Sequence, residues 1–285
     1  MANLAKILPR NVSGEFFVDS TCIDCDTCRQ LAPQVYGEAD GASYVRRQPG
    51  DADRRAALQA LVACPTGSIG TRGASRAKEV LGDFPLPIDG DVYYCGYTSP
   101  KSFGGSSYFV RQEAGNWLID SPKFLPQLVR KLEAAGGLRY IFLTHRDDVA
   151  DADRYAAHFQ AERIIHRAEL SSQPDAERIV EGTQPVELVP GFVAIPTPGH
   201  TRGHMVLLAH DRYLFTGDHL AWDRDEEQLV AFEDYCWHSW SAQCESMARL
   251  LDYRFSWVLP GHGQRVHLPA DAMHRELASL ALRMG

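Results

Sequence analysis

Four apolar runs in this chain are each followed closely by a residue that can bind a metal ion. The runs are short and rich in β-branched or aromatic residues, as buried strands are. They occupy residues 140–143, 192–195, 213–215 and 255–259, and they lead to His145, His200, Asp218 and His262. Gly199, Gly217 or Gly261 directly precedes the last three of these residues, and glycine allows a sharp turn there. The repeated pattern predicts strand ends that converge on one site.

The remaining periodicity predicts a mixed α/β chain. Helical spacing or helix start and stop signals occur over residues 53–63, 124–135, 152–159, 240–251 and 270–283. Further strands are predicted over residues 92–97, 107–112, 117–120, 163–166 and 185–195. Strands and helices alternate in two halves after residue 90, which favours an αββα sandwich.

Length and charge narrow the function classes. A chain of 285 residues suits two domains, and a formal net charge of −8 favours neither nucleic acid nor an anionic membrane as a partner. No apolar stretch is long enough to span a bilayer, and residues 1–17 show no secretory leader. Cytoplasmic localisation is therefore expected.

Four of the seven cysteines follow a spacing typical of a bound metal centre. Cys22, Cys25 and Cys28 are separated by two residues each, and Cys64 follows much later, directly before a proline. Zinc sites usually combine two pairs of ligands, whereas three cysteines plus a remote one before proline is the bacterial ferredoxin pattern. A structural zinc site and incidental buried cysteines are the alternatives.

Residues 11–72 as a whole resemble a single-cluster bacterial ferredoxin. The resemblance includes the Phe-Val-Asp at residues 17–19, the cysteine triplet, the predicted helix 53–63 and the Cys-Pro-Thr-Gly-Ser-Ile at residues 64–69. It implies a [4Fe–4S] cluster on Cys22, Cys25, Cys28 and Cys64. We expect a small α+β ferredoxin-like domain over residues 1–72 and a linker over residues 73–90.

Residues 91–285 resemble the metallo-β-lactamase fold superfamily, whose active site is built from strand-end ligands in the order found here. The resemblance implies an αββα metallo-β-lactamase sandwich. Its metal ligands map onto His145, His200, Asp218 and His262, with Asp218 between two metal positions. Asp120 maps onto a structural carboxylate under the site.

The first ligand motif departs from the superfamily pattern His-x-His-x-Asp-His. In strict register Asp147 replaces the second histidine, whereas a loop longer by two residues places Asp151 at the aspartate and Ala152 at the last histidine. Asp148 is a third possible ligand. Carboxylate in place of imidazole moves the preference from zinc towards iron or manganese. We therefore expect one or two iron, zinc or manganese ions, with Asp147, Asp148 and Asp151 all candidate ligands.

Other conspicuous residues receive plainer interpretations. His204 and His219 directly follow ligand stretches and are candidates for orienting metal ligands. The aromatic segment 235–240 is expected to be a hydrophobic plug, and the alternative is one wall of a substrate pocket, with His238 offering a proton.

Three function classes fit these features. The preferred one is a redox enzyme in which the [4Fe–4S] cluster feeds electrons to a mono- or dinuclear metal site, with iron as the favoured metal and with a small-molecule substrate and an electron-donor reductase as partners. The second is a metal-dependent hydrolase of an ester, thioester, amide or phosphoester, in which Asp218 or Asp151 orients the attacking water. The third is a non-enzymatic redox or iron sensor.

Overall fold

The computed structural model describes residues 2–74 and 76–285, which form two compact units. The first unit comprises the chain up to residue 116 together with residues 121–138. The second comprises residues 117–120 and 139–285. Both units mix helices with strands, as the α/β pattern of the sequence predicted.

The first unit contains three helices and seven strands among its described residues. These are β1 (Phe16–Val18), α1 (Thr27–Leu31), β2 (Tyr36–Ala39), β3 (Ala42–Val45), α2 (Asp51–Ala63), β4 (Ile69–Thr71), β5 (Leu86–Asp89), β6 (Val92–Tyr94), β7 (Tyr108–Val110) and α3 (Pro126–Ala134). Strands β1 and β4 pair antiparallel, as do β2 and β3. Strands β5, β6 and β7 follow one another as an antiparallel set.

The core of the cysteine-rich half of this unit is built around helix α2. Ala57 and Leu58 on this helix are buried and belong to one apolar cluster with Phe16 of β1 and Tyr36 of β2. Cys28 lies in the same cluster. The helix begins two residues before the predicted range and ends at the predicted residue, directly before Cys64. Its packing therefore places the remote Cys64 against the same core that contains Cys28 and contacts Cys22.

The segment expected to be a linker contains regular structure. Strand β5 lies within residues 73–90 and pairs with β6, with Pro87 opposite Tyr93. A 3-10 turn at Ala77–Glu79 precedes it. Proline has no amide hydrogen to donate to a neighbouring strand. Pro85 and Pro87 therefore argued against a strand in the sequence, although β5 is present.

The second unit contains the remaining elements. These are β8 (Trp117–Ile119), β9 (Tyr140–Phe142), α4 (Ala152–Phe159), β10 (Glu162–His166), β11 (Arg178–Val180), β12 (Val186–Val189), β13 (Phe192–Pro196), β14 (Met205–Ala209), β15 (Tyr213–Gly217), β16 (Ala221–Asp223), β17 (Gln228–Val230), α5 (Trp240–Arg249), β18 (Trp257–Pro260), β19 (Val266–His267) and α6 (Ala270–Met284). Strands β8 to β11 form a parallel set, in which β9 lies between β8 and β10.

A mixed sheet with the order β12-β13-β14-β15-β18-β19 carries three of the four predicted ligand stretches. Strands β15 and β18 are parallel, and β13 runs in the same direction because β14 is antiparallel to both β13 and β15. The C-terminal ends of β13, β15 and β18 therefore lie at one edge of the sheet. That edge is where His200, Asp218 and His262 follow.

Helices α5 and α6 cover an apolar face of this sheet. Met247 of α5 and Leu277 of α6 are fully buried in one cluster with Val206, Leu214 and Val258 of the sheet. The strand residues on this face are apolar, so the polar side chains of these stretches lie beyond the ends of the strands. Among the described residues, no helix is both long and apolar enough to cross a membrane.

Candidate cluster site and metal centre

The four predicted cluster cysteines line a single cavity. Cys22, Cys25, Cys28 and Cys64 all contribute to it, together with Val18, Ile23, Thr27, Ser43, Pro65, Thr66, Ser68 and Ile69. None of the four forms a disulfide. Burial raises the pKa of Cys25 to about 11 and raises that of Cys28 further. Thiols gathered in an apolar cavity in this way gain most from binding a metal centre as thiolates.

Polar groups around the cavity point at the sulfur atoms. The backbone amides of Asp24 and Ser43 donate to Cys22 Sγ over 3.5 and 3.4 Å. Cys25 Sγ lies 3.4 Å from the hydroxyl oxygen of Thr27. Hydrogen bonds to sulfur are one of the features by which proteins set cluster potentials. The four cysteines and their surroundings thus fit a [4Fe–4S] cluster.

The predicted metal ligands of the second unit meet at the ends of their strands. Asp147 Oδ2 lies 3.9 Å from His145 Nε2 and 3.7 Å from His200 Nε2. Asp218 Oδ2 lies 3.7 Å from His145 Nε2 and 3.6 Å from His200 Nε2. Four ligands about 2.1–2.3 Å from a tetrahedral metal are roughly 3.4–3.8 Å apart. Asp147 and the two imidazoles therefore form one group of candidate ligands for a single ion, and Asp218 lies next to both imidazoles.

A hydrogen-bond chain presents the unprotonated nitrogen of His145 to this position. The Thr144 hydroxyl donates to the Asp120 carboxylate over 3.0 Å, so it can only accept from His145 Nδ1, which is also 3.0 Å away. With the proton on Nδ1, the Nε2 lone pair points towards the site, where this buried atom has no hydrogen-bond partner among the described residues. Burial lowers the pKa of His145 to about 4, which also favours the neutral ligand form.

A second group of carboxylates lies beside the first. One ligand atom each from His145, Asp148 and Asp218 lies within 4.8 Å of the other two. A side-chain carbon added at Gly261 would come within 2.6 Å of Asp148 Oδ2 and 2.8 Å of Asp218 Oδ1, so both carboxylates flank this glycine. The absence of a side chain at Gly261 therefore leaves room for the two acids to approach each other.

Asp148 has the clearest need for a cation. It is 1% exposed, and neither carboxylate oxygen has a hydrogen-bond partner among the described residues. Burial, followed by the negative charge of Asp218, raises its pKa well above the usual value. A buried carboxylate without partners is costly unless a proton or a cation neutralises it. Asp148 therefore fits a metal ion in the second position.

Asp218 lies next to the first group of candidate ligands and belongs to the second, and His262 holds its carboxylate in place. The His262 Nδ1 atom lies 2.9 Å from each Asp218 oxygen, and its backbone amide donates to Oδ1 over 3.1 Å. Burial alone would raise the pKa of Asp218, but the His262 imidazole, together with His145 and His200, outweighs burial and holds the pKa far below its usual range. Asp218 is thus the anionic centre of the site, and its bridging position between two metals stays a prediction.

Asp151 lies outside both groups of candidate ligands. It begins helix α4, and its carboxylate lies 3.7 Å from the Arg154 guanidinium. Of the three acids that the sequence left open, Asp147 and Asp148 on the 3-10 turn Arg146–Asp148 are the two brought to the strand ends.

Several residues around the site had little or no signal in the sequence. Glu169 is fully buried and accepts from the Gly203 amide over 2.5 Å, while its other oxygen lies 3.9 Å from Arg146 Nε. It thereby links the His200–His204 loop to the first ligand motif.

His219 is fully buried with neither ring nitrogen hydrogen-bonded among the described residues, and burial lowers its pKa to about 3. Only the position of His219 after Asp218 pointed to it.

The aromatic segment is not a plug. Tyr235 and Trp237 are each 59% exposed, so the expectation that they fill a hydrophobic seam was wrong. The backbone amides of Trp237 and His238 both donate to the carbonyl of His200, at 2.9 and 3.2 Å. The segment therefore lies along the metal-ligand loop with its large rings in solvent.

Comparison with known proteins agrees with both halves of the chain. Residues 18–71 match the family described as the 4Fe-4S single cluster domain of Ferredoxin I. A hydroxyacylglutathione hydrolase of Acidiphilium cryptum (strain JF-5) is 33% identical over 121 residues, which are 41% of this chain and 46% of that protein. The alignment thus spans less than half of that relative's length.

Solved structures establish the fold of the larger part. The DIM-1 metallo-β-lactamase exposed to ceftazidime superimposes with a TM-score of 0.53 at 18% identity, over 70% of this chain and 96% of that one. VMB-1 at pH 5.5 gives 0.51 at 17% identity, over 69% and 95%. Both the predicted ferredoxin-like domain and the predicted αββα sandwich are confirmed. The chain therefore combines a single-cluster [4Fe–4S] ferredoxin domain with a domain of metallo-β-lactamase fold.

Proposed function

We propose that this chain is a redox enzyme in which a [4Fe–4S] cluster feeds electrons to a two-metal iron centre that acts on a small molecule. The cluster ligands are Cys22, Cys25, Cys28 and Cys64, and the metal ligands are His145, Asp147, Asp148, His200, Asp218 and His262. The observation that carries the proposal is the Asp147 carboxylate, which lies between two imidazoles where the superfamily pattern has a third.

The composition of the ligand set favours iron. Three carboxylates and three imidazoles surround the site, and a set this rich in carboxylate is harder than the imidazole and thiolate sets that suit zinc best. Two of the three carboxylates, Asp147 and Asp218, are kept anionic by neighbouring imidazoles. The neighbouring His200 imidazole lowers the pKa of Asp147, and His262 lowers that of Asp218. A harder, more negative set suits iron or manganese in preference to zinc.

The surrounding residues hold this set without taking part in it. Thr144 fixes the ring of His145, and the His204 ring accepts a hydrogen bond from the backbone amide of Asp218. Iron–sulfur clusters and carboxylate-bound iron supply one-electron chemistry when bound. The Cys22 and Cys64 side chains are only partly buried, so an electron-donor reductase can approach the cluster ligands from solvent.

Metal and sulfide analysis of anaerobically purified protein tests the proposal, with electron paramagnetic resonance spectra before and after dithionite. Cluster irons with matching sulfide, plus additional irons without sulfide, are expected. Replacing Cys25 with serine should disturb the cluster signal and abolish turnover while the additional irons remain. Replacing Cys244, whose thiol lies far along the sequence on α5 and donates to the Met284 carbonyl, is the matched control. Full turnover without a cluster would contradict the proposal.

A metal-dependent hydrolase is the second candidate, favoured by the hydroxyacylglutathione hydrolase relative. In that case the anionic Asp218 would orient the attacking water, and a metal ion would lower the pKa of that water. Asp151 was expected to share this role, but its carboxylate lies beside Arg154. Zinc-loaded protein should then cleave simple thioesters, and His200→Ala should remove the activity. Zinc binding without cleavage of thioesters or esters would contradict the hydrolase candidate and favour the redox enzyme.

A further inference from the structure

Three exposed aromatic side chains form a continuous row on the second unit. Phe232, Tyr235 and Trp237, here called the aromatic ladder, are 37%, 59% and 59% exposed. The ring centroids of Phe232 and Tyr235 are 6.3 Å apart at an interplanar angle of 81°. Those of Tyr235 and Trp237 are 6.2 Å apart at 87°. Each ring thus meets its neighbour through an edge-to-face contact and keeps much of its surface in solvent.

The ladder borders the candidate metal centre at both ends. At one end the Trp237 ring lies 6.2 Å from the His200 ring. At the other end a side-chain carbon on Gly263 would lie 3.6 Å from the Phe232 ring, and Gly263 directly follows His262. The row therefore runs from one proposed metal ligand to the neighbourhood of another.

The backbone fastens the ladder to the metal-ligand loop. The Trp237 amide donates to the His200 carbonyl over 2.9 Å, and the Ser239 amide donates to the Gly199 carbonyl over 3.0 Å. Between the rings, the Cys236 thiol donates to the same Gly199 carbonyl over 3.1 Å. These bonds fix the position of the rings relative to His200. A surface fixed in this way loses little conformational entropy when it binds a ligand.

The chemistry of the ladder limits what it can bind. Large rings held in water beside a site are a recurrent feature of binding surfaces, because their burial is strongly favourable. The only other exposed side chains within the segment 232–237 are the acids Glu233 and Asp234, which disfavour an anionic group. The surface is therefore suited to a flat, apolar group without negative charge.

We propose that the aromatic ladder is a substrate subsite that binds a flat, uncharged apolar group, such as an aromatic ring, next to the metal centre. This proposal rests on the proposed function, because the flat group is taken to be part of the substrate that reacts at the metal centre. It adds the class of that molecule: an aromatic or similarly flat compound, whose polar, reacting end faces His200.

Binding of a neutral probe to the intact holoprotein tests the subsite without any turnover. Naphthalene-2-methanol and its saturated counterpart decahydronaphthalene-2-methanol would be titrated, and dissociation constants measured by ligand-detected nuclear magnetic resonance. The naphthyl probe should bind more tightly than the saturated one. Trp237→Ala should weaken naphthyl binding about tenfold, and Trp237→Phe should weaken it less. Leu282→Ala, at an 84% exposed position on α6, is the control and should leave binding unchanged.

Two results would overturn the subsite. One is equal affinity of the naphthyl probe for the native protein and Trp237→Ala. The other is a change in self-association of Trp237→Ala in sedimentation velocity with unchanged probe affinity, which would assign the ladder to contact with a second copy of the chain. Probe binding that depends on Trp237 in a protein without redox activity would contradict the proposed function alone. Redox activity without ladder-dependent binding would contradict the subsite alone.

Discussion

The Nε2 atom of His204 accepts a hydrogen bond from the backbone amide of Asp218 over 3.2 Å. An accepting Nε2 requires the proton on Nδ1, which lies 2.9 Å from the Thr197 hydroxyl oxygen and can donate to it. His204 is fully buried, and burial keeps its pKa well below the usual value, in agreement with a neutral ring. The ring therefore holds the turn that carries Asp218, and its Nε2 lone pair is not available to a metal.

Replacing His204 with phenylalanine should weaken metal binding. The aromatic ring fills similar space but cannot accept from the Asp218 amide, so the central carboxylate loses its support. Loss of such outer hydrogen bonds typically reduces metal affinity about 10- to 100-fold. Competition with a chelator of known affinity measures the change, and the exposed His274→Gln is the control. Unchanged affinity in His204→Phe would show that Asp218 is positioned by other contacts.

Replacing Asp147 with histidine should change which metal the site prefers. The substitution supplies the imidazole that the superfamily pattern has at this position and removes one negative charge. Offered equal amounts of ferrous iron and zinc without oxygen, the native protein should retain mostly iron, and Asp147→His should retain more zinc. Metal content by mass spectrometry gives the ratio. Asp147→Asn removes the charge without adding imidazole, and an equal shift in that variant would contradict the role of the ligand type.

The parts of the site that were predictable from sequence are those fixed by short-range patterns. The spacing of Cys22, Cys25 and Cys28 needs no knowledge of the fold, and the ferredoxin match confirms the domain. The strand-end residues were equally accessible, because an apolar run places its next polar residue at a sheet edge. His200, Asp218 and His262 follow strands whose C-terminal ends lie at the same edge.

The choice among the three acids of the first motif required the structure. The turn after His145 contains a 3-10 segment, and Ala150 has a left-handed backbone with φ of 33°. The spacing of the three acids along the sequence therefore does not show in which direction each carboxylate points. Asp148 points inwards because Gly261, distant in sequence, leaves room for its carboxylate. Contacts of this kind depend on tertiary packing. The same holds for the aromatic segment, whose composition suggested a buried plug although hydrogen bonds to His200 hold it at the surface.

Glu177 should make the stability of the second unit depend on pH. Its carboxylate accepts from Arg163 Nε and from a terminal nitrogen over 3.0 and 2.8 Å, and these bonds lower its pKa despite the opposing effect of burial. A pKa lowered by folding stabilises the protein above the unfolded value and loses this contribution as the pH falls through the folded value. Because the Glu177 side chain is 44% exposed, we expect only about 0.5–1 kcal/mol at neutral pH.

Urea unfolding followed by tryptophan fluorescence measures this contribution. The tryptophans all belong to the second unit, at positions 117, 222, 237, 240 and 257. Glu177→Gln should be less stable than the native protein at pH 7, and the difference should shrink below about pH 4. Glu187→Gln, at an exposed position in β12, serves as the control for removal of one surface charge. A difference that is the same at pH 7 and pH 3 would show that the carboxylate charge does not contribute.

Gly104 should be essential for the stability of the cluster site. Its φ of +90° is left-handed, and a side-chain carbon there would lie 2.5 Å from Cys25 Cβ and 2.8 Å from Cys25 Sγ. The Gly104 carbonyl also accepts from Thr27 Oγ1 over 3.3 Å, which keeps this loop against the cysteine triplet. An alanine would therefore have to displace either the loop or a cluster ligand.

Gly73 separates this clash from backbone strain. It has nearly the same φ, +94°, but an added carbon would meet no atom within 4 Å. A left-handed backbone costs alanine about 1–2 kcal/mol at either position, so strain alone predicts equal effects. We expect Gly104→Ala to lose its visible cluster absorbance under a chelator at least tenfold faster than Gly73→Ala, because only Gly104 touches a cluster ligand. Equal rates would mean that the loop yields without moving Cys25, and that the contact at Gly104 does not protect the cluster.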